Sequence, residues 1–461
     1  MSGQKWTRRE ILKTGAAALA IPAFVPRHVL GVLGEPGANQ QVRVGVIGLG
    51  GRAGGVMGDC DGIEGMRVVA VADCFAPRVP AFIDGPGKDK GWKGYTDFRK
   101  LIETEKPDGV MVETTTHARG WIVVTAMQMG CDAYIEKPMS LSIAEGRYMV
   151  RAARKYNRVT QVGTQQRSIR LNNLASDLVK NGALGKVHTV LAPNFVGPSK
   201  WTAQPAAPMP EGASDGWWDI WTSQAVMRPY HSQIHYGWPK WWDYDGGGEC
   251  FGVTGWGTHS YDQINRGLGT DETGPTEILL EEEVKVSNTG KFAKPRGTED
   301  TGADYHAMAQ PVIGPRAKVT MKFASGTELK LHLDGDSGPG LGAIFIGEKG
   351  KIEINRNKVS SEPREITGGR ESPESGEGRA TTYHVQNWID CMRSRKPATA
   401  DIEIGQRATT LCYIVNIVRD VGKAGQIFHW DPVAERFVDS EAANKLLDRE
   451  RRKGWELPAL T

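Results

Sequence analysis

The sequence predicts an α/β protein whose first half forms a doubly wound parallel sheet and whose second half adds a β-rich domain. Short β-rich and helical segments alternate regularly between Val42 and Arg167, as in parallel sheets with helices on both faces. Alternating apolar and polar runs, such as "AKVTMKFASGTELKLHL", recur between residues 275 and 350. The chain of 461 residues exceeds one ordinary core, so two domains with extensions are expected.

A glycine-rich turn follows the first predicted strand. Val42–Ile47 is a short β-rich run, and Gly48-x-Gly50-x-x-Ala53 comes directly after it. Glycines here permit a tight turn and a close backbone approach to a diphosphate, while the next helix directs its positive end to the same place. Asp73 ends the next β run, 25 residues after Gly48, where an acid binds the adenosine ribose and favours NAD over NADP. The predicted dinucleotide contacts here are Gly48, Gly50, Gly51, Arg52 and Asp73.

Further polar residues fall where the later predicted strands end. In a doubly wound sheet, ligands bind beyond the carboxyl ends of the strands. The residues predicted there as cofactor contacts are Thr114, Thr115, His117, Glu136, Lys137 and Gln165. An amine such as Lys137, beside a bound nicotinamide, can stabilise the oxyanion that develops as hydride leaves. The competing interpretation is a surface lysine in the turn made by Pro138.

The N-terminal residues differ from the rest of the chain. The stretch "TRREILKTGAAALAIPAFVP" places two arginines before a short apolar run broken by Pro22 and Pro26. The run is too short and too interrupted to span a bilayer, which takes roughly 20 apolar residues, so no stable membrane insertion is expected. Thr7 to Lys13 resembles a twin-arginine export signal. Residues 1–38 are therefore predicted to be a leader, and the protein to be periplasmic or otherwise exported.

Charge excludes one class of partner. Residues 1–38 hold five basic and two acidic side chains, which leaves 52 of each in the remainder. A neutral body gives no electrostatic reason to bind nucleic acid or an anionic membrane surface. We therefore expect a small-molecule partner and no nucleic acid.

The six cysteines do not form a metal or disulfide pattern. None lies in a CxxC pair, and none sits beside a histidine at metal-ligand spacing. No metal is predicted, and the cysteines are interpreted as mostly buried small hydrophobic residues.

His259 is a candidate acid/base group in the second half. The segment "GWGTHSYDQI" is typical of a glycine loop that enters a helix. His259 and Asp262, three residues apart, would share a helix face, so the carboxylate could orient the imidazole or bind a substrate hydroxyl. The alternatives are a structural histidine and an acid that only solvates the helix.

Aromatic residues concentrate before this helix. Eight of the fourteen tryptophans lie between Trp201 and Trp256, and the interleaved Gly, Pro, Asp and His residues predict loops. Flat aromatic faces edged by polar groups suit a sugar, although they could equally pack a long loop or a subunit interface. Arg167, at the end of the last predicted strand, could face the cleft or form an exposed ion pair. The predicted substrate contacts are Arg167, Arg228, Tyr230, His235 and Trp256.

Several short motifs, in this order and spacing, resemble the Gfo/Idh/MocA oxidoreductases, the family of glucose–fructose oxidoreductase and inositol dehydrogenase. Between Val42 and Pro458 they are "GVIGLGGRA", Asp73, "EKP" at 136–138, "VGTQQR" at 162–167, "GWGTHSYDQINRGLG" at 255–269 and "HVQNWIDCMRSRKP" at 384–397. The resemblance implies a homo-oligomer and three parts after the leader. These are a Rossmann domain (40–165), an α+β domain with a large open, mostly antiparallel sheet (166–440) and a tail (441–461).

The resemblance also implies roles for two residues. Lys137 matches the lysine that hydrogen-bonds the reacting hydroxyl and contacts the cofactor, and His259 matches the general acid/base. The chain departs from the family pattern at Thr114-Thr115, where many members have Thr-Pro, and at Gly255, where many have an aspartate. Asp262 is the remaining local acid and is the predicted partner of His259.

These observations predict an exported NAD(P)-dependent enzyme that transfers hydride at a carbinol of a sugar or cyclitol. Because a cell envelope compartment is not expected to supply free NAD, the cofactor should be tightly bound and recycled. The first alternative is a redox-neutral glycoside hydrolase or lyase that uses NAD through a transient keto-sugar. The second is a non-catalytic nucleotide- or sugar-binding protein.

Overall fold

Two sheets organise the protein. The computed structural model describes residues 41–248, 251–288, 313–334, 339–356, 358–370 and 380–461. The predicted leader, residues 1–38, lies outside these ranges. No helix in the described ranges is both long enough and apolar enough to cross a membrane.

The first sheet has six parallel strands in the order β3-β2-β1-β4-β5-β6. These strands are β1 Val42–Ile47, β2 Met66–Ala72, β3 Lys93–Tyr95, β4 Gly109–Val112, β5 Asp132–Ile135 and β6 Thr160–Val162. All four residues of β4 and of β5 are buried, as expected for strands covered by helices on both faces. The predicted doubly wound Rossmann sheet is confirmed.

The helices follow the predicted alternation through the first sheet and then become sparser. They are α1 Gly51–Asp59, α2 Arg78–Asp84, α3 Phe98–Glu105, α4 Thr116–Gln128, α5 Ile143–Lys155, α6 Arg170–Lys180, α7 Trp217–Thr222, α8 Ser232–His235, α9 Trp256–Leu268, α10 Ala380–Ser394, α11 Ile402–Val421 and α12 Glu441–Asn444. The predicted cap of α5 is present, since Ser142 Oγ accepts a hydrogen bond from the backbone N of Glu145 at 3.2 Å.

The second sheet has nine strands in the order β15-β14-β13-β7-β12-β11-β8-β16-β17, and β9 pairs with β10 separately. Neighbours within the sheet run antiparallel except β7 and β12. This confirms the predicted large, mostly antiparallel sheet. Its strands, with the separate pair, are β7 Val187–Pro193, β8 Pro275–Leu280, β9 Lys285–Asn288, β10 Ile313–Arg316, β11 Val319–Phe323, β12 Glu328–Leu333, β13 Ala343–Gly347, β14 Gly350–Asn355, β15 Lys358–Glu362, β16 Gln426–Asp431 and β17 Arg436–Phe437.

Helices cover one face of the second sheet. Val319, Met321 and Phe323 of β11 are buried and share a core with residues of α9 and α11. The intervening Thr320 and Lys322 are half-buried and exposed, so this strand follows the period-two pattern of a sheet with one core face. The opposite face is mixed, with Lys330 and Glu353 beside Leu279, Ile344 and Ile427.

One helix of the second half returns to the first sheet. Val385, Trp388 and Ile389 of α10 lie in one core cluster with Val44 of β1 and Met111 of β4. Residues of α10, far along the chain, therefore complete the core beneath the first sheet.

Two local predictions need correction. The strand predicted for "RVTQVGTQQR" ends at Val162, and Gln165–Ser168 forms a 3₁₀ turn, since the chain leaves the sheet here to enter the second domain. The tryptophan-rich segment, predicted as loops, contains α7, α8 and a 3₁₀ turn at Trp238–Lys240. A shared aromatic cluster stabilises these short helices despite their weak helix-forming composition.

A buried ion pair holds the 3₁₀ turn against α9. Arg167 Nε donates to Asp262 Oδ1 at 2.7 Å, and Arg167 Nη2 donates to Asp271 Oδ1 at 2.5 Å. Arg167 and Asp262 are almost completely buried. Burial raises the pKa of Asp262 to about 6, although the Arg167 charge opposes this shift. The buried Asp262 carboxylate therefore depends on the Arg167 guanidinium to balance its negative charge.

Replacing Arg167 by methionine should destabilise the fold strongly. Arg167→Met leaves the buried Asp262 carboxylate without its cation, and losing one partner of a buried pair costs about 3–5 kcal/mol. The free energy of unfolding from urea titration at neutral pH measures this loss. Arg266→Met is the matched control, because Arg266 pairs with the exposed Asp177 and should cost less than about 1 kcal/mol. Equal losses in the two variants would contradict the prediction.

Candidate active site

A cleft of about 380 Å³ lies at the carboxyl edge of the six-stranded sheet. Three parts of the chain form its walls: the strand ends of the first sheet, the tryptophan-rich segment and the C-terminal tail. The tail contributes Trp455, and the tryptophan-rich segment contributes His235, Tyr236 and Trp238. The volume is within the range of small-molecule sites.

The glycine turn at the cleft fits a diphosphate. Gly48 has φ +88°, and a Cβ there would lie 2.9 Å from the Thr114 backbone, so a side chain is excluded by both conformation and space. Gly50 and Gly51 have no atom within 4 Å of an added Cβ, which leaves their backbone open to a ligand. The N-terminus of α1 begins at Gly51, and its positive end favours an anion.

Asp73 is held in a fixed orientation beside this turn. Its Oδ2 accepts from Leu49 N and its Oδ1 from Phe75 N, both at 2.8 Å. The carboxylate lines the cleft at the end of β2, where ribose hydroxyls bind in dinucleotide sites. Arg78 Nη1 lies 3.6 Å from Asp73 Oδ2, and a cation there could also meet a 2′-phosphate. This arrangement fits either NAD or NADP.

Thr114 and Thr115 line the cleft, whereas His117 does not. His117 is fully buried, and its Nε2 lies 2.8 Å from the carbonyl oxygen of Trp221. Burial lowers the pKa of His117 to about 4, so the ring is neutral. The structure places His117 in the contact between α4 and the tryptophan-rich segment, outside the cleft wall.

Arg52 connects the cleft to buried groups beside it. Arg52 lines the cleft, and its Nε donates to Glu136 Oε2 at 3.3 Å. Gln165 Nε2 donates to the Tyr134 hydroxyl at 3.0 Å. Glu136 and Gln165 are therefore buried supports next to the cleft rather than part of its wall.

Lys137 and His259 come together at the start of α9. Lys137 Nζ donates to the carbonyl oxygen of Gly255 at 3.2 Å, and Gly255 caps the helix whose first turn carries His259. Burial, followed by the positive charges of Arg356, Lys137 and Arg52, holds the pKa of His259 well below its usual value. The His259 imidazole is therefore neutral, and neither Lys137 nor His259 is among the residues that line the cleft.

Asp262 is not placed to orient His259. One of its oxygens accepts from Arg167, while Asp262 Oδ2 and His259 Nδ1 have no hydrogen-bond partner within the described residues. Arg167 is likewise committed to Asp262 and Asp271 and does not line the cleft. Helix α9 is buried on nearly all sides, so His259 and Asp262 face different neighbours although they are three residues apart.

The other predicted substrate contacts divide between the cleft and structural packing. His235 lines the cleft, and burial with the nearby Arg78 charge lowers its pKa to about 4. Tyr230 belongs to the aromatic cluster, and Arg228 forms an ion pair with Asp243. Trp256 packs against the second-domain core. Of these, His235 is placed by the structure at the nucleotide cleft.

Three buried charged residues at this edge escaped the sequence analysis. Asp245 Oδ2 accepts from Thr254 Oγ1 at 2.7 Å, and burial raises its pKa although Arg119 and Lys137 lie nearby. Arg119 binds the carbonyl oxygens of Thr114 and Pro138, joining the ends of β4 and β5. Glu113 lines the cleft. Of the three, only Glu113 could have been predicted from the sequence, because it is a carboxylate directly after the apolar run of β4.

Glu113 is the one of these three residues whose carboxylate lacks hydrogen bonds in the part of the chain that the structure describes. Neither carboxylate oxygen has a hydrogen-bond partner within the described residues. Burial and the neighbouring Glu136 raise the pKa of Glu113 to about 8, and the charges of Arg52 and Arg119 oppose this shift. A proton therefore resides on Glu113 for much of the time at neutral pH.

Cysteines and metal ligands add no second site in the described ranges. Cys60, Cys131, Cys391 and Cys412 are free and buried, and Cys74 is free and half-buried in the cleft wall. No group of three or more His, Cys, Asp or Glu side chains in the described part of the chain is arranged to hold a metal ion.

Comparison with solved structures supports the fold assignment. The WlbA dehydrogenase of Bordetella pertussis, solved with NADH and UDP-GlcNAcA, aligns with a TM-score of 0.57 at 14% identity, covering 86% of this chain and 99% of that one. The aldose–aldose oxidoreductase of Caulobacter crescentus, complexed with glycerol, aligns with a TM-score of 0.55 at 16% identity, covering 84% and 99%. At these identities the likeness concerns the fold.

Curated relatives match shorter stretches. A myo-inositol 2-dehydrogenase of Thermotoga maritima is 28% identical over 150 residues, covering 32% of this chain and 44% of the relative. A glycosyl hydrolase family 109 protein of Solibacter usitatus is 28% identical over 204 residues, covering 40% and 44%. The matches thus span less than half the length of either relative.

Family comparison covers most of the chain. Residues 42–164 match the oxidoreductase family's NAD-binding Rossmann fold, and residues 173–457 match the C-terminal alpha/beta domain of the same family. The first match spans the six-stranded sheet, and the second spans the nine-stranded sheet. The chain belongs to the Gfo/Idh/MocA oxidoreductase family.

Proposed function

We propose that this protein is an NAD(P)-dependent oxidoreductase that transfers hydride at a carbinol carbon of a sugar or cyclitol, with NAD as the preferred cofactor. The observation that carries the proposal is that Lys137, bonded to the Gly255 carbonyl, and the neutral, buried His259 both lie at the first turn of α9, next to the sheet edge that carries the nucleotide cleft. A cation and a neutral base are the two groups that alcohol oxidation needs beside a nicotinamide.

The two side chains divide the chemistry of the substrate hydroxyl. Lys137 donates a hydrogen bond to the substrate oxygen and stabilises the negative charge that develops there. His259 accepts the hydroxyl proton, and in the reverse direction it returns that proton. Bound nicotinamide supplies the hydride acceptor or donor. Asp262 contributes indirectly, since it holds the position of α9 through Arg167.

The substrate class is supported by the surroundings and by the relatives. The tryptophan-rich segment brings aromatic side chains to the cleft wall, and aromatic faces pack against the C–H faces of sugars. Inositol 2-dehydrogenases are among the curated relatives. These observations favour a polyhydroxylated ring over an acyclic alcohol.

The same walls support the proposal that the cofactor is retained. Trp455, Tyr236 and Trp238 cover the cleft from outside the first domain. The tail is fastened to the first domain, because the Tyr148 hydroxyl donates to Pro458 O at 2.8 Å. A tightly held cofactor also suits the export proposed from residues 1–38, since each cycle would then regenerate it.

We propose a homo-oligomer formed through the open face of the nine-stranded sheet.

A redox-neutral reaction is the second candidate. The relatives include proteins named glycosyl hydrolase family 109, and Gly255 replaces an aspartate that many family members carry. In this reaction a sugar would be oxidised transiently, lose its glycosidic group and be reduced again. A purely binding protein is less favoured, because Lys137 and His259 are both present at the first turn of α9.

One set of measurements separates these functions. The absorbance and mass of the nucleotide that co-purifies with the protein identify the cofactor. Free sugars and inositols should then change the reduction state of that bound nucleotide. Aryl glycosides incubated without added NAD should release no aglycone. Aglycone release without net reduction would select the redox-neutral reaction, and neither response would select the binding protein.

Removing the Lys137 amine should abolish turnover without emptying the nucleotide site. Lys137→Met is expected to lower kcat at least about 100-fold, the typical loss when one group that stabilises developing charge is removed. Nucleotide content per protein should remain unchanged. Lys349→Met, at the exposed turn between β13 and β14, is the control and should retain wild-type turnover. Unchanged kcat in Lys137→Met would exclude the proposed role.

Removing Trp455 should speed cofactor release. Trp455 packs on Trp121 with ring centroids 5.1 Å apart, and both line the cleft. Trp455→Ala should release bound NADH about ten-fold faster, corresponding to about 1.4 kcal/mol. The decay of bound NADH fluorescence after mixing with excess NAD measures this rate. Trp242→Ala is the control, because Trp242 contacts Arg449 away from the cleft. Equal rates in both variants would contradict the role of the tail.

A further inference from the structure

Glu113 occupies an unusual position for an acid. It follows the last residue of β4, and its backbone N donates to Ile47 O of β1 at 2.8 Å, which places it beside the glycine turn. It lines the cleft, yet both carboxylate oxygens are shielded and have no hydrogen-bond partner in the described ranges. A buried carboxylate without hydrogen bonds is costly, so the residue requires an explanation that packing does not give.

Charged and titratable groups face Glu113 from each neighbouring element. Arg52 and Cys60 lie on and just after α1, Arg119 lies on α4, and Tyr134 and Glu136 belong to β5 and its end. Both arginines favour the anion, whereas Glu136 and burial favour the neutral acid. Burial raises the pKa of Cys60 and Tyr134 above their usual values. Neither of these two groups therefore titrates near neutral pH.

A bound dinucleotide would change this balance in one direction. Arg52 sits at the first turn of α1, directly beside the backbone that fits a diphosphate. A diphosphate there would share the Arg52 charge that now favours the Glu113 anion. It would also add negative charge near a carboxylate, which disfavours ionisation. The neutral acid, unlike the anion, can donate a hydrogen bond to a phosphate or ribose oxygen.

We propose that the Glu113 side chain turns toward the cleft when the dinucleotide binds and, as a neutral carboxylic acid, donates its proton in a hydrogen bond to a cofactor oxygen. Where Glu113 is ionised in the free protein, nucleotide binding takes up one proton from solvent onto that carboxylate. The inference rests on the proposed nucleotide site but not on the substrate or the reaction. It assigns to Glu113 a binding role that the family motifs in this chain do not include.

The pH dependence of NAD affinity tests the proposal. With an acid of pKa about 8 in the free protein, affinity is greatest below that pH and falls as pH rises. The expected loss is about ten-fold between about pH 7 and pH 9. NAD is the probe because its diphosphate does not titrate in this range. Protein stripped of nucleotide is titrated with NAD at each pH by calorimetry.

Matched variants test whether Glu113 is the group that makes NAD affinity depend on pH. Glu113→Gln retains a hydrogen-bond donor of the same shape, so its affinity should stay within about two-fold across this range. Glu136→Gln removes the anion that raises the Glu113 pKa, and the affinity loss should therefore begin at lower pH. Asp97→Asn changes another carboxyl in the cleft wall, which pairs with Arg99, and should keep the wild-type slope.

A proton count on the wild-type protein needs no variant. Titration in two buffers of different ionisation enthalpy at about pH 8 should show uptake of roughly half a proton per NAD bound. Binding without proton uptake, or a Glu113→Gln variant that keeps the wild-type slope, would overturn the proposal while leaving the proposed function intact. Failure of the wild-type protein to bind NAD at any pH would overturn both.

Discussion

The candidate active site depends on how the carboxyl edge of the six-stranded sheet meets the first turn of α9. The hydrogen bond from Lys137 to the Gly255 carbonyl joins these two structures. It fixes the amine at the end of β5 and brings it beside the helix turn that carries His259. Arg167 secures the same helix through Asp262. The edge that carries the nucleotide cleft and the helix turn that carries His259 are therefore joined at a contact between the two domains.

Buried charge is concentrated at this connection. Lys137, Arg119 and Arg52 stand near Glu136 and Asp245, and several of these side chains are shielded from water. Coulomb interactions are stronger in such surroundings than at an exposed surface. Burial, followed by the positive groups, keeps His259 neutral, while the acids keep the site from becoming strongly cationic. The charge state of each group is therefore set by the whole cluster of charged residues rather than by any one ion pair.

Residues in local motifs were predictable, whereas residues that act through distant partners were not. The glycine turn, Asp73 and Lys137 follow short β runs, and strand ends in a parallel sheet have a known common edge. Asp262 was misjudged because helix spacing shows which residues share a face but not that Arg167, 95 positions away, occupies it. Six of the eight tryptophans between Trp201 and Trp256 share one aromatic cluster, and composition alone does not separate a ligand wall from such a core.

Chain order gives the fold a consequence for biosynthesis. The core beneath the first sheet needs Trp388 of α10, and the cleft wall needs Trp455, near the end of the chain. Residues 42–164 emerge from the ribosome long before either of these side chains. A nascent chain that has completed its six parallel strands still exposes part of their apolar face. Stable capture of a nucleotide therefore requires residues as far along the chain as Trp455, and not only the domain that carries the glycine turn.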